Sequence, residues 1–187
     1  MSVEDPPTGG APAKKADALV LPQKVAPLAD DPKTQQLWLA LQQRPWRSLA
    51  VVAASKGIGT LKVANDLAKI AWWYTGQPTC VFDMRDLSLR LLDQQLRDMG
   101  GQLKGGERVF IALRSSAENP TAVPLARAAD VAVLCVRLGA TDAKSAERTL
   151  EAVGRNRFIG TLLVSADDDP PEAPPPPEPK ANGSEEG

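Results

Sequence analysis

The chain has 187 residues, 43% of them hydrophobic, enough for one domain of ordinary size, and its 22 Lys and Arg against 23 Asp and Glu leave a net charge of -1. No whole-chain basic field exists to attract nucleic acid or an anionic membrane, and the absence of histidine excludes His-based metal sites and the usual His general base. The two cysteines, Cys80 and Cys135, lie far apart in apolar runs (TCVF and AVLCV), which reads as small core side chains of a protein kept in a reducing cytoplasm, with no metal site expected.

Residues 1–30 are rich in Pro, Ala, Gly and charge, carry no apolar signal-like core, and read as a disordered tail. Neither secretion nor insertion is expected, since no stretch approaches the ~20 apolar residues of a membrane span. A domain over 31–166 opens with a helix over 33–43, carrying Leu37, Trp38 and Leu41 at helical spacing, which RPWR breaks. A continuous apolar strand (48–54) follows, then a helix from about Thr60 to Tyr74 that stops at Gly76 and Pro78. Strand TCVFDM, helix DLSLRLLDQQLRDMGG with a glycine stop, strand RVFIAL, short helix TAVPLARAA and strand DVAVLCVRL come next. Helix TDAKSAERTLEAVG, with Thr141 as its candidate N-cap, precedes a last strand RFIGTLLV. Fully apolar strands separated by helices predict an α/β, doubly wound, mainly parallel sheet covered on both faces. Residues 167–187 are proline-rich and acidic and read as a second disordered tail. Pro174 to Pro177 there suit either a polyproline ligand or a plain spacer; the spacer reading is preferred and no function is assigned to it.

The stretch LAVVAASKGIGTLKVANDLAKIA is the informative one: strand, glycine turn and helix form the frame in which P-loop proteins hold a phosphate. A working GxxxxGK[ST] loop needs a lysine on the β/γ-phosphates and a hydroxyl on Mg²⁺, and this chain places Thr60 and Leu61 there. Backbone N–H groups over Gly57 to Leu61 could still attract an anion, and Lys56 or Lys62 could supply charge from an abnormal position.

Over roughly residues 34–165 the chain resembles the MinD/ParA-type P-loop ATPases, and most closely the CpsD/CapB-like tyrosine-kinase domains of bacterial capsule and exopolysaccharide synthesis. TQQLWLALQQRPWRSLAVVAAS is similar in apolar spacing to their EAFRxLRTNL helix and P-loop strand, and DVAVLCVRLGATDAKSAERTLEAVGRNRFIGTLLV to their ADGVLLVVRxGxT segment and GVVLN-ending unit. The resemblance implies a P-loop NTPase-like fold, with Lys56, Gly57, Ile58, Gly59, Thr60 and Leu61 matching the PGxGKS positions. Its IDADLR motif matches VFDMRDL, so that Asp83 keeps the first aspartate, Arg85 stands at the second, and Asp86 is a helix cap or a displaced ligand. Its IIDTPP motif matches VFIALRS, with Ala112 for the aspartate and Arg114 and Ser115 for the prolines. The asparagine ending GVVLN falls on Val164 or Ser165. Gln36, Leu39 and Gln42 stand at the charged ring contacts, so an octameric ring is not expected, and the tail lacks tyrosines, which removes tail autophosphorylation.

With the hydroxyl and two of three carboxylates gone, little is left to hold Mg²⁺. Phosphoryl transfer and catalytic residues are therefore not expected, nor is a cofactor, with weak ATP–Mg²⁺ binding at Lys56, Gly57, Gly59, Thr60, Leu61 and Asp83 as the rival. Trp72, Trp73 and Tyr74 are consecutive and fan around a helix, so at least one should reach the surface, where aromatics anchor interfaces. A covering loop or tail is the bland alternative, and Trp38 and Trp46 are expected to extend any such patch. The reading is a non-catalytic protein-interaction domain, a regulator or scaffold in bacterial envelope polysaccharide synthesis or export with a protein partner or a second copy. The alternatives are a MinD/ParA-like spatial-organisation partner and a residual ATPase or rewired nucleotide switch.

Overall fold

A computed structural model describes residues 31–165; the expected tails, 1–30 and 167–187, lie outside the described residues. Helix α1 (Pro32–Leu41) begins where the Asp31 carboxylate accepts the Thr34 N–H at 3.0 Å, with proline in the first turn where its missing N–H costs nothing. Strand β1 (Ser48–Ala53) is buried along its whole length. Helix α2 (Thr60–Thr75) ends at Gly76, whose φ of 64° is the left-handed conformation that glycine adopts without a Cβ clash. The chain continues through β2 (Thr79–Asp83), α3 (Leu92–Lys104), β3 (Arg108–Leu113), α4 (Ala122–Ala128), β4 (Val131–Arg137), α5 (Ala143–Val153) and β5 (Phe158–Val164).

All four strand pairings are parallel, in the order β2-β3-β1-β4-β5, so the predicted doubly wound α/β sheet is present. The period-2 alternation of the strands divides the core. Leu49, Val51, Phe110 and Val133 pack against α1 and α2 on one face. Ala50, Val52, Ile111 and Leu113 pack against α3 and α4 on the other.

Three details differ from the sequence reading. Helix α3 runs through Gly100 and Gly101 and stops at Gly105. Each helical glycine costs about 1 kcal/mol relative to alanine, which the burial of Met99 and the packing of Leu96 and Leu103 on the sheet outweigh. The N-cap of α5 is Asp142, not Thr141: the Asp142 carboxylate accepts the Ser145 N–H at 2.8 Å, while the Thr141 hydroxyl takes the Arg137 N–H at 3.0 Å. Trp38 and Trp46 belong to the core, not to a surface patch, with only 9% and 4% of their surface exposed. Trp46 donates its indole N–H to the Leu41 carbonyl at 2.7 Å and meets Phe110 edge to face at 5.6 Å, because the RPWR turn folds the ring back under α1.

At the amino edge of the sheet, Asp130 fastens β4 to β1. One carboxylate oxygen accepts from the Arg47 N–H, the Ser48 N–H and the Ser48 hydroxyl, each at 2.9 Å. Burial pushes the Asp130 pKa up, but these donors and the Arg47 charge outweigh it and hold the carboxyl below its ordinary value.

Candidate functional site

The loop after β1 leaves the carboxyl end of the central strand, between the exits of β3 and β4, whose following helices lie on the opposite face from α2. Open α/β sheets bind ligands at such a switch point. Lys56, Gly57, Gly59, Thr60 and Leu61 are gathered there, in a turn that requires φ of 76° at Gly57.

Several groups of this loop bond to the protein itself. Thr60 is fully buried, and its hydroxyl donates to the Leu113 carbonyl at the end of β3 at 3.0 Å, while its N–H donates to the Ile58 carbonyl at 2.9 Å. Ile58 is turned into the core rather than out around a ligand. Arg137, at the end of β4, donates to the Gly57 carbonyl at 3.2 Å, and the Ser55 and Thr141 hydroxyls are 3.0 Å apart. Leu61 packs partly buried against the core. Lys62 lies 3.7 Å from Asp66 on the exposed side of α2. Lys56 is exposed and lines two clefts, one of about 580 Å³ with Ser115, Ser116 and Arg148, the other of about 440 Å³ with Arg85, Arg114 and Asn119.

Asp83 lies at the carboxyl end of β2. Strand β3 lies between β2 and β1, and Asp83 pairs in register with Ala112. Its carboxylate takes two bonds from the Arg85 guanidinium, at 2.8 and 2.9 Å. Burial works to raise the Asp83 pKa, and the Arg85 hydrogen bonds and charge overcome it, so the carboxyl sits below its ordinary value. Asp86 caps no helix and lines the same cleft as Lys56. It pairs with Arg114 at 2.8 Å, while Ser88 caps the turn that leads into α3. Glu118 lies 3.6 Å from Arg114 and accepts the Ser115 hydroxyl at 2.7 Å. Ala112, at the position of the third motif aspartate, is fully buried in the sheet. No group of three or more Cys, Asp or Glu among the described residues is placed to hold a metal ion.

One organising residue was missed from the sequence. Asn119 donates to the Arg85 and Leu87 carbonyls at 3.0 and 3.1 Å and accepts from the Thr121 N–H and hydroxyl, tying the loops after β2 and β3 together. The ENPT run, an Asn before Pro between strand and helix, was the available signal.

Trp72, Trp73 and Tyr74 do reach the surface, at 40%, 42% and 36% exposure, and Tyr74 stacks on buried Trp38 with ring centroids 5.5 Å apart. No helix among the described residues is long and apolar enough to cross a membrane.

The sheet order and the strand–turn–helix at its centre define a doubly wound α/β domain of P-loop NTPase-like fold. Among solved structures, the crystal structure of the chimerical protein CapA2B2 is similar, with a TM-score of 0.59 over 74% of this chain and 87% of that one. Sequence identity is 12%, so the likeness is one of fold. No family model and no curated protein matches the sequence.

Proposed function

We propose that this domain works by binding protein rather than by turning over nucleotide, as a regulator or scaffold in bacterial envelope polysaccharide synthesis or export. The observation that carries the reading is the self-satisfied loop. The Thr60 hydroxyl is directed into the sheet at Leu113, Arg137 holds the Gly57 carbonyl, and Asp83, Asp86 and Glu118 face arginines. A phosphate cradle works through outward N–H groups, a lysine and a hydroxyl on the metal. Here Thr60 and Leu61 stand at the lysine and metal-hydroxyl positions, and the Thr60 N–H is already bonded to the Ile58 carbonyl at 2.9 Å. The pathway rests on the sequence resemblance to capsule and exopolysaccharide kinase domains, and the fold likeness to CapA2B2 supports it. The protein-contact surface in this reading is the exposed end of α2, Trp72, Trp73 and Tyr74, together with Leu39 at 69% exposure.

Calorimetric titration with ATP and ADP, with and without Mg²⁺, tests it. No heat is expected with nucleotide up to about 1 mM, the level at which binding contributes only ~4 kcal/mol. Mg²⁺-dependent binding tighter than that would overturn the reading and make the loop a rewired nucleotide switch.

A further inference from the structure

The two edges of the sheet are finished differently. At the β2 edge every residue but Asp83 is buried or half-buried, helix α2 lies over the strand, and Asp83 ends it with a carboxylate held by Arg85. At the opposite edge, β5 presents Gly160, Thr161 and Leu163 to solvent, Leu163 with 67% of its surface exposed. No charged residue and no proline stands between Phe158 and Ser165, and those are the residues with which natural proteins blunt an open edge. An edge strand keeps a row of N–H and C=O groups directed away from its neighbour, and among the described residues no strand lies beyond β5.

The irregularity in β5 lies at its start, where the register slips so that Phe158 pairs with Ala132 but Gly160 with Val133. From Gly160 to Val164 the strand is regular. Helix α1 lies over β5 on one face, where Leu162 and Val164 pack with the core around Leu49 and Val51. Helix α5 covers β4 rather than β5 on the other face, which leaves Thr161 and Leu163 uncovered there. The regular stretch is complementary to itself. Laid antiparallel on a second copy about Leu162, it sets Leu162 against the partner's Leu162, Thr161 against the partner's Leu163, and Gly160 against the partner's Val164. No like charges meet in these pairs, small residues face large ones, and the exposed Leu163 gains an apolar neighbour in the methyl of the partner's Thr161.

We propose that β5 is the seam of a two-fold symmetric dimer, in which the sheets of two copies join antiparallel through Gly160 to Val164 into one continuous sheet. A closed two-fold interface needs a single patch complementary to itself, and this strand meets that condition. An axis perpendicular to the sheet keeps each face continuous, with the two α1 helices flanking the seam on one side and Thr161 and Leu163 of both copies lining it on the other. The seam is short, near or below the ~1,200 Å² at which stable interfaces begin, so the dimer exchanges with monomer at micromolar chain concentrations. This surface is separate from the aromatic end of α2 and from the loop after β1, so the proposal and the functional reading can fail independently.

Sedimentation velocity of the full chain over about 1 to 100 µM tests it. A monomer-to-dimer transition is expected within that range. It should persist in Trp72→Ser/Trp73→Ser and shift at least about tenfold toward monomer in Leu163→Lys, a change at an exposed position that places a charge on the open edge. Register is read by Leu162→Cys under mild oxidation. Residues directly opposite in an antiparallel pair have Cα atoms about 4.5–5.5 Å apart, within the span of a disulfide, so a covalent dimer should form. Leu138→Cys, exposed beyond the end of β4, should not link under the same conditions. Cys80 and Cys135 are buried, with thiols pushed up to about 12, and do not compete. A chain that stays monomeric at ~100 µM would overturn the proposal, whether its edge is open or covered by its own ends. So would a dimer that Leu163→Lys leaves intact and Leu162→Cys fails to link, or one abolished by Trp72→Ser/Trp73→Ser, which would assign the contact to the end of α2.

Discussion

Thr60→Val removes the hydroxyl that closes the loop after β1 while keeping the β-branched shape. In the parent, Thr60 has no exposed surface and donates to the Leu113 carbonyl at 3.0 Å, across from the α2 face to the end of β3. Valine fills the same volume, so no cavity forms; the loss is one buried donor, and the Leu113 oxygen is left with fewer partners. Such a loss costs about 1–3 kcal/mol, and a value near 2 kcal/mol corresponds to a fall of roughly 6–10 °C in Tm for a domain of this size. Thr60→Ser keeps the donor and should cost about 1 kcal/mol through the lost methyl alone. Urea and thermal unfolding, followed by circular dichroism and tryptophan fluorescence, measure both. If Thr60→Val unfolds within about 0.3 kcal/mol of the parent, the hydroxyl does not hold the loop, and the reading of a self-bonded loop fails with it.

Trp46→Phe should cost about 1–2 kcal/mol by leaving the Leu41 carbonyl without its indole donor, and Trp46→Ala about 3–5 kcal/mol, whereas Trp73→Ser at the exposed end of α2 should stay within about 0.5 kcal/mol; chemical denaturation separates the three. The Asp130 carboxyl lies below its ordinary 3.8 in the folded chain, so its contribution is complete above that value and is lost as pH falls toward the folded value. Asp130→Asn is therefore less stable near neutrality and shows a shallower acid limb in an unfolding-versus-pH series; an unchanged limb would contradict the assignment. Burial pushes the Cys80 thiol up to about 12, with help from Glu107, and the Cys135 thiol up to about 12 by itself, so a thiol-exchange reagent at pH near 8 should modify neither in the native protein and both after unfolding in guanidinium. Gly57→Ala should destabilise by about 1 kcal/mol and Gly57→Asn by less, because the strain lies in the positive φ of 76° and not in crowding: an added Cβ would be 3.7 Å from Arg137.

The sequence by itself determined the layers. Runs such as SLAVVA and VAVLCVR are apolar without alternation, which only a strand buried on both faces tolerates, and the intervening segments carry helical spacing; the parallel doubly wound sheet follows from those two local facts. That Thr60 and Leu61 follow the glycine turn, and that Ala112 lies in β3, is also read from single positions in a strand–turn–helix frame. Tertiary structure decided what the remaining groups do. Whether the Thr60 hydroxyl faces a ligand or the Leu113 carbonyl depends on β3 lying beside β1, a contact between residues 53 positions apart that no local pattern encodes. The same holds for Asp83, paired with Arg85 on the strand beyond β3, for Asn119, whose partners are on another loop, and for Trp38 and Trp46, whose aromatic character marks core and interface alike until the fold under α1 assigns them to the core. Local sequence sets which faces are apolar and which turns are possible; the direction of a polar side chain is set by which strand the topology brings next to it.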